Sequence, residues 1–165
     1  MSRVEIKLAE KDDLAELVEI ERAADELFPA DRLPDGLAAR TPAQLMQGIE
    51  QQLLWTAALK DRICGFALAQ PQDDWLYLEQ VSVHPRAGRR GIGRLLVEQV
   101  MSSARARCLL GVNLTTFADF SWNAPFYRSL GFVDWSESAG FLEEQLAQQA
   151  AAGMTNRVAM IWLAD

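Results

Sequence analysis

One stretch of the chain combines glycine spacing, positive charge and the onset of a helix: VSVHPRAGRRGIGRLL, residues 81–96. Apolar alternation at Val81 and Val83 reads as a strand ending at His84-Pro85, and Gly91-Ile92-Gly93 then open a helix. The first backbone N–H groups of a helix have no intrahelical acceptor, and the helix dipole favours an anion at that end. Glycine lets backbone approach a phosphate with no Cβ in the way, so the chemistry open to this turn is pyrophosphate binding. Arg89, Arg90 and Arg94 either add charge to that site or are solvated surface residues. A P-loop would end in Gly-Lys-Ser/Thr, and a dinucleotide fingerprint would carry a third glycine where Leu96 stands. A plain strand-to-helix turn remains the alternative.

A second stretch, WNAPFYRSLGF at residues 122–132, places an Asn before a short helix that bears a Tyr and stops at Gly131-Phe132. Together the two stretches resemble the GNAT superfamily of N-acetyltransferases over roughly residue 54 onward. The first is similar to its coenzyme A pyrophosphate motif, Gln/Arg-x-x-Gly-x-Gly/Ala, through Gly91 and Gly93. Gly88 stands at the Gln/Arg position, with the arginine displaced to Arg89. What carries over is therefore the backbone cradle, not a side-chain role at that first position. The second stretch matches the other motif at Asn123, Tyr127, Gly131 and Phe132, and LTTFADFSWNAPFY as a whole resembles one bacterial branch.

The resemblance implies acetyl transfer from acetyl-CoA to an amine by direct attack, without an acyl-enzyme on Cys64 or Cys108. It implies cosubstrate contacts at Val81, Val83, Gly88, Arg89, Arg90, Gly91, Ile92, Gly93, Arg94 and Asn123. An acceptor side is implied at Phe28, Glu79 and Thr116, and a homodimer is one arrangement it suggests. An alkyl amine is mostly protonated at neutral pH, so a carboxylate assists its deprotonation. Glu79 is the candidate base, with a solvent-exposed strand Glu as the equal alternative. Strict alternation would put Tyr77, Glu79 and Val81 on one face. Tyr127 is the candidate acid, a phenol that stays protonated beside a departing thiolate. A backbone N–H near Val81 would polarise the thioester carbonyl. His84 reads as structural because Pro85 favours extended backbone before it. Phe126 and Phe132 read as core.

These residues need a frame to hold them. Alternation predicts strands at residues 3–8, 54–60, 63–70, 75–84, 109–117, 132–135 and 158–163, with turns at 61–62 and 71–74. Helical spacing predicts helices at 11–28, 41–53, 91–107, 122–130 and 141–151, with a Pro- and Gly-containing loop at 28–36. The order β, α, α, β, β, β, α, β, α, β, α, β implies an α/β fold. Its mixed, mostly antiparallel sheet carries helices on both faces, in one domain over residues 1–165. Glu21, Asp25 and Glu26 fall near the acceptor side, where they suit a cationic amine or simply form a polar helix face. Trp75, Trp122 and Trp135 either shape a pocket or pack.

Composition narrows the partners. With 23 acidic against 16 basic residues the net charge is −7, which argues against nucleic acid as partner. One His and two Cys without a Cys-x-x-Cys pair supply no zinc set, so no metal is expected. Both cysteines lie in apolar runs and are expected buried. MSRVEIKLAEKDD has no apolar h-region, and no run of about 18 apolar residues occurs, so no membrane partner and a cytoplasmic location are expected. Two non-catalytic readings compete: a coenzyme A-binding sensor domain, and a protein-interaction domain with no coenzyme.

Overall fold

The computed structural model describes residues 3–33, 40–136 and 140–165. Its strands are β1 (Val4–Leu8), β2 (Leu54–Leu59), β3 (Arg62–Gln72), β4 (Trp75–Val83), β5 (Gly111–Phe117), β6 (Val133–Trp135) and β7 (Arg157–Leu163). Its helices are α1 (Leu14–Asp25), α2 (Pro42–Glu50), α3 (Ile92–Ala106), α4 (Ala124–Ser129) and α5 (Phe141–Ala151). Short 3-10 turns at Lys11–Asp13 and Pro85–Ala87 lead into α1 and towards α3. The order of strands and helices is the one the sequence predicts.

The strands form one sheet in the order β1-β2-β3-β4-β5-β7-β6. All neighbours are antiparallel except β4 and β5. That parallel pairing covers only Trp75↔Gly111, Leu76↔Val112 and Tyr77↔Asn113. Beyond it β4 runs on to Val83 and β5 to Phe117 with no ladder between them among the described residues. The sheet therefore splits on one side of Tyr77 and Asn113.

Alternation along the strands sends apolar residues to both faces. Ile92, Leu96, Val97 and Val100 of α3 pack with Tyr127 of α4 and Phe132 on one face. Leu17 and Ile20 of α1 and Leu45 of α2 cover Leu54, Phe66 and Leu68 on the other. Beside them, Leu142 of α5 covers Tyr77, Ala159 and Ile161. Leu17, Leu45, Leu54 and Phe66 are fully buried, each worth ~1.5–3 kcal/mol of transfer free energy. At Gly111 the chain passes so close to β7 that a Cβ would lie 1.9 Å from the Trp162 carbonyl oxygen, so only glycine fits where β5 starts.

Several expectations need correction. α1 stops at Asp25, three residues early, and a turn carrying Phe28 N–H to the Asp25 carbonyl swings Phe28 away from the helix line. α2 stops at Glu50 because Gln52 adopts φ 57°. The β2–β3 turn is Lys60-Asp61, with φ 53° and 63°, one residue earlier than predicted and positive at both positions as a tight hairpin requires. β3 extends through Pro71, which pairs with Leu76, so the turn is confined to Asp73 and Asp74. Cys64 is buried, but Cys108 is exposed, since the chain leaves α3 there with φ 57°. Of the predicted loop at 28–36, residues 34–36 lie outside the described residues.

Candidate active site

The split between β4 and β5 is the candidate site. Its floor is the last paired couple, Tyr77 and Asn113, where the Asn113 Oδ1 is buried without a hydrogen-bond partner. One wall is the edge of β4 from Leu78 to Val83, bonded to β3 on its far side through Ala67↔Val81 and Gly65↔Val83. Towards β5 this edge leaves backbone groups open, which an extended, amide-bearing ligand can pair with as an added strand would. The Val81 and Val83 side chains pack against the α3-side core, so only their backbone faces the gap.

At the end of that wall stands the N-terminus of α3. His84 folds the approach, its Nδ1 accepting from the Arg86 N–H at 3.1 Å. Gly91 is the N-cap, at φ 73°, and no side chain caps the helix. The first in-register bond is Leu95 N–H to the Gly91 carbonyl, so the N–H groups of Ile92, Gly93 and Arg94 project beyond the helix end. The Ile92 side chain is core, 1% exposed. Gly88, Arg89 and Arg90 are exposed, and Arg94 reaches only a loose pair with Glu98 at 3.7 Å. The anion-seeking part of this turn is its backbone, and the exposed arginines form a positive fringe around it.

The opposite lip is α4. Asn123 sits at its N-cap with Oδ1 buried and unpartnered, an acceptor suited to an amide N–H. Tyr127 is 8% exposed and lies against Phe126 and Phe132. Burial drives its phenol well above the ordinary range, and Arg157 only partly offsets this. The phenol is therefore a neutral hydrogen-bond donor at any physiological pH.

Glu79 occupies a β-bulge. Leu78 pairs with Ala69 and Gln80 with Leu68, leaving Glu79 as the extra residue. The bulge reverses the alternation, which corrects the expected shared face. Leu78 and Val81 pack towards α3, whereas Tyr77 packs towards α5. Glu79 points towards α2, where it borders a polar pocket of about 60 Å³ with Gln44, Gln47 and Gln70. Its Oε1 accepts from Arg40 Nη1 at 3.0 Å. Arg40 also presents its backbone N–H to Glu21 Oε1 at 2.8 Å and its Nε to Glu21 Oε2 at 3.6 Å. Glu21 is 1% exposed, and burial raises its carboxyl to about 7 despite Arg40. Asp25, also desolvated, rises to about 6. Glu26 instead turns outward to Arg22.

Across the split, Thr115 gathers a second polar cluster. Its Oγ1 lies 3.2 Å from the Tyr77 hydroxyl and accepts from Gln149 Nε2 at 2.9 Å. Arg157 Nε donates to Gln149 Oε1 at 3.1 Å, and its Nη2 reaches the Thr115 carbonyl and Oγ1 at 3.3 and 3.4 Å. The guanidinium lies over Phe117 at 4.5 Å. Thr116, the predicted acceptor contact, is 3% exposed and pairs with Val158, which packs on the α3 side. The face towards α5 belongs to Thr115. Phe28 meets Phe117, Phe120 and Trp122 at ring distances of 5.2–5.6 Å, and Arg32 binds Asp119 through both carboxylate oxygens at 2.7 and 2.8 Å. These contacts fasten the segment after α1 across the end of β5. Trp75 packs against the α5 cluster, and Trp135 lies on the exposed edge strand.

Glu79 thus lies on β4 facing α2, Tyr127 on α4 within the α3-side core, and Phe28 on the aromatic cluster at the end of β5. Sequence reasoning missed Arg40, Thr115, Gln149 and Arg157. The one signal for Arg157 is a cation at the head of the otherwise apolar strand VAMIWL. Among the described residues no group of three His, Cys, Asp or Glu could hold a metal, and no helix is long and apolar enough to cross a membrane.

A split mixed sheet with an uncapped glycine-started helix at one lip and a tyrosine helix at the other defines an acyl-transferase type of fold. The chain belongs to the acetyltransferase (GNAT) family, whose model matches residues 15–132. Over 72 residues it is 33% identical to the ribosomal protein bS18-alanine N-acetyltransferase of Salmonella typhimurium, a match covering 44% of this chain and 49% of that one. The matched stretch thus spans about half the length of that relative. The ribosomal-protein-S18-alanine N-acetyltransferase of Escherichia coli superposes with a TM-score of 0.73 at 18% identity, covering 99% of this chain and 95% of that one. The PaiA N-acetyltransferase of Thermoplasma acidophilum, solved with coenzyme A, gives 0.74 at 16% identity over 98% and 99%. At those identities the likeness is one of fold.

Proposed function

We propose that the protein transfers the acetyl group of acetyl-CoA to a primary amine of a small molecule or peptide, by direct attack within a ternary complex. The observation that carries this reading is the open β4 edge running into the uncapped N-terminus of α3, with Tyr127 on the facing lip. Acetyl-CoA would supply an activated acyl carbon and a thiolate leaving group. The residues present fit it. The open edge and the orphaned Asn123 Oδ1 suit the amides of a pantetheine arm, and the α3 N–H groups suit a pyrophosphate.

On the chain's side, a backbone N–H of β4 near Val81 polarises the carbonyl. Glu79 takes the ammonium proton of the acceptor, directly or through water. With Oε1 engaged by Arg40, Oε2 is the oxygen left to do so. The amine nitrogen then bonds to the acyl carbon as the carbon–sulfur bond breaks. Tyr127 donates a hydrogen bond to the departing sulfur. Most of the gain comes from holding amine and thioester together.

The first test is calorimetric titration with acetyl-CoA, with dephospho-CoA and NAD as controls. Micromolar binding, on the order of −8 kcal/mol, and none of NAD is expected, followed by thiol release in the presence of amines. Failure to bind acetyl-CoA overturns the reading. A stable acetyl adduct on Cys64 or Cys108 overturns direct attack.

A further inference from the structure

We propose that Arg157, held by Thr115 and Gln149, is a subsite for a carboxylate on the acceptor, so that the preferred amine is zwitterionic, a free amino acid. This inference rests on the acetyl-transfer reading and deepens it.

Charge is the first argument. Arg22, Arg32, Arg40, Arg94 and Arg128 each face a carboxylate within 4 Å. Arg157 is more deeply placed than most of these and faces none among the described residues. Its titratable neighbours are the phenols of Tyr77 and Tyr127, both neutral at physiological pH. The chain has 23 acidic residues, and of those described none faces this guanidinium. A desolvated guanidinium without a counter-charge is costly, and burial lowers its pKa to about 10. Such a group gains most from an anion that arrives with a ligand.

Geometry is the second. Nε and Nη2 are committed to Gln149 and Thr115, and the Phe117 ring sets the plane of the fork. Nη1 donates to no described residue. The guanidinium is thus oriented in advance, with Nη1 left open to a ligand or solvent, and the residue is neither exposed nor sealed. Its held neighbours are polar groups of a ligand-sized cluster, since Thr115 also meets the Tyr77 hydroxyl at the floor of the split.

Position is the third. The Tyr77 phenol lies within electrostatic reach of Arg157 on the β5 side and of Glu79 and Arg40 on the β4 side. Tyr77 therefore stands between a carboxylate on the β4 side and a guanidinium on the β5 side. An amino acid laid across the split would set its ammonium at Glu79 and its carboxylate at Arg157.

The test compares each standard L-amino acid with its carboxamide, by thermal shift on the coenzyme A-saturated protein and by kcat/KM for thiol release. At least one acid should stabilise the protein more than its amide and react with a kcat/KM about tenfold higher, the gain lying in KM. Arg157→Gln should bring that ratio close to one, and Arg157→Lys, which keeps charge but loses the fork, should fall between. Equal response to acid and amide throughout the wild-type panel overturns the inference without any variant. So does an Arg157→Gln protein, folded by circular dichroism, that loses activity on both in proportion. No binding of acetyl-CoA sinks the acetyl-transfer reading instead, and thermal shift of the protein without coenzyme then reports any carboxylate preference.

Discussion

The two parts of the candidate site are built from different materials. The β4–α3 wall is made of backbone: an open strand edge, a left-handed Gly91 and a helix end without a cap. The proposed acceptor region is made of side chains from both sides of the split, Glu21, Arg40 and Glu79 on the β4 side and Thr115, Gln149 and Arg157 on the β5 side. A backbone site is indifferent to most substitutions and reads one feature common to every cycle of the reaction. A side-chain site depends on each member's charge and is where selectivity between acceptors can change.

The comparison can be broken at its centre first. Tyr127 is the proposed acid and should matter to chemistry rather than to binding. Tyr127→Phe, which keeps the buried ring, should lower kcat on the order of 10³-fold and leave the acetyl-CoA Kd within about twofold. Steady-state kinetics and calorimetry decide it, and an unchanged kcat removes Tyr127 from the mechanism.

The acceptor region should be costly to hold. The folded Glu21 carboxyl, raised from 4.5 to about 7 by burial, binds its proton more tightly than the unfolded chain does. Its contribution to stability is complete below pH 4.5 and is lost as pH rises to about 7. At about 1.4 kcal/mol per unit this amounts to roughly 3 kcal/mol. Asp25, raised to about 6, adds a smaller loss in the same direction. Urea denaturation of wild type and Glu21→Gln across pH 4–8 should give a distinctly flatter profile for the variant. Parallel profiles would mean that Glu21 is ionised in its site.

The backbone wall should fail through geometry and not through charge. A Cβ at Gly91 meets nothing within 4 Å, so what Gly91→Ala loses is the φ of 73°. That conformation costs an ordinary residue roughly 1–2 kcal/mol, and the acetyl-CoA Kd should rise about tenfold. Gly91→Asn, which tolerates that conformation better, should cost about a third as much. The smallest effect belongs to the fringe. Arg94 is exposed and pairs loosely with Glu98, so Arg94→Ala should change the Kd by less than about twofold at physiological salt.

The two parts also differ in how far the chain disclosed them. Gly91, Gly93 and the short helix carrying Tyr127 were legible because helix starts and stops are written in a few adjacent residues. Glu79 was found as a candidate, but its orientation was not, because a bulge is a mismatch with another strand and leaves no mark on its own. The same mismatch sent the predicted alternation to the wrong face. Thr116 was chosen where Thr115 faces the polar cluster, a parity that depends on which face α5 covers. Arg40 and Arg157 had no local signal tying them to a site, since their partners lie 8 to 42 residues away on other elements.

What the sequence determined alone is the succession of elements, the mixed sheet with helices on both faces, and the helix end prepared for an anion. Those follow from hydrophobic period and from glycine, properties of neighbours along the chain. The tertiary structure decided where the sheet splits, which carboxylate is held by which guanidinium, and which arginine is buried without one. These are properties of distant residues brought together, and burial makes their charges strong only once the fold has removed the water between them.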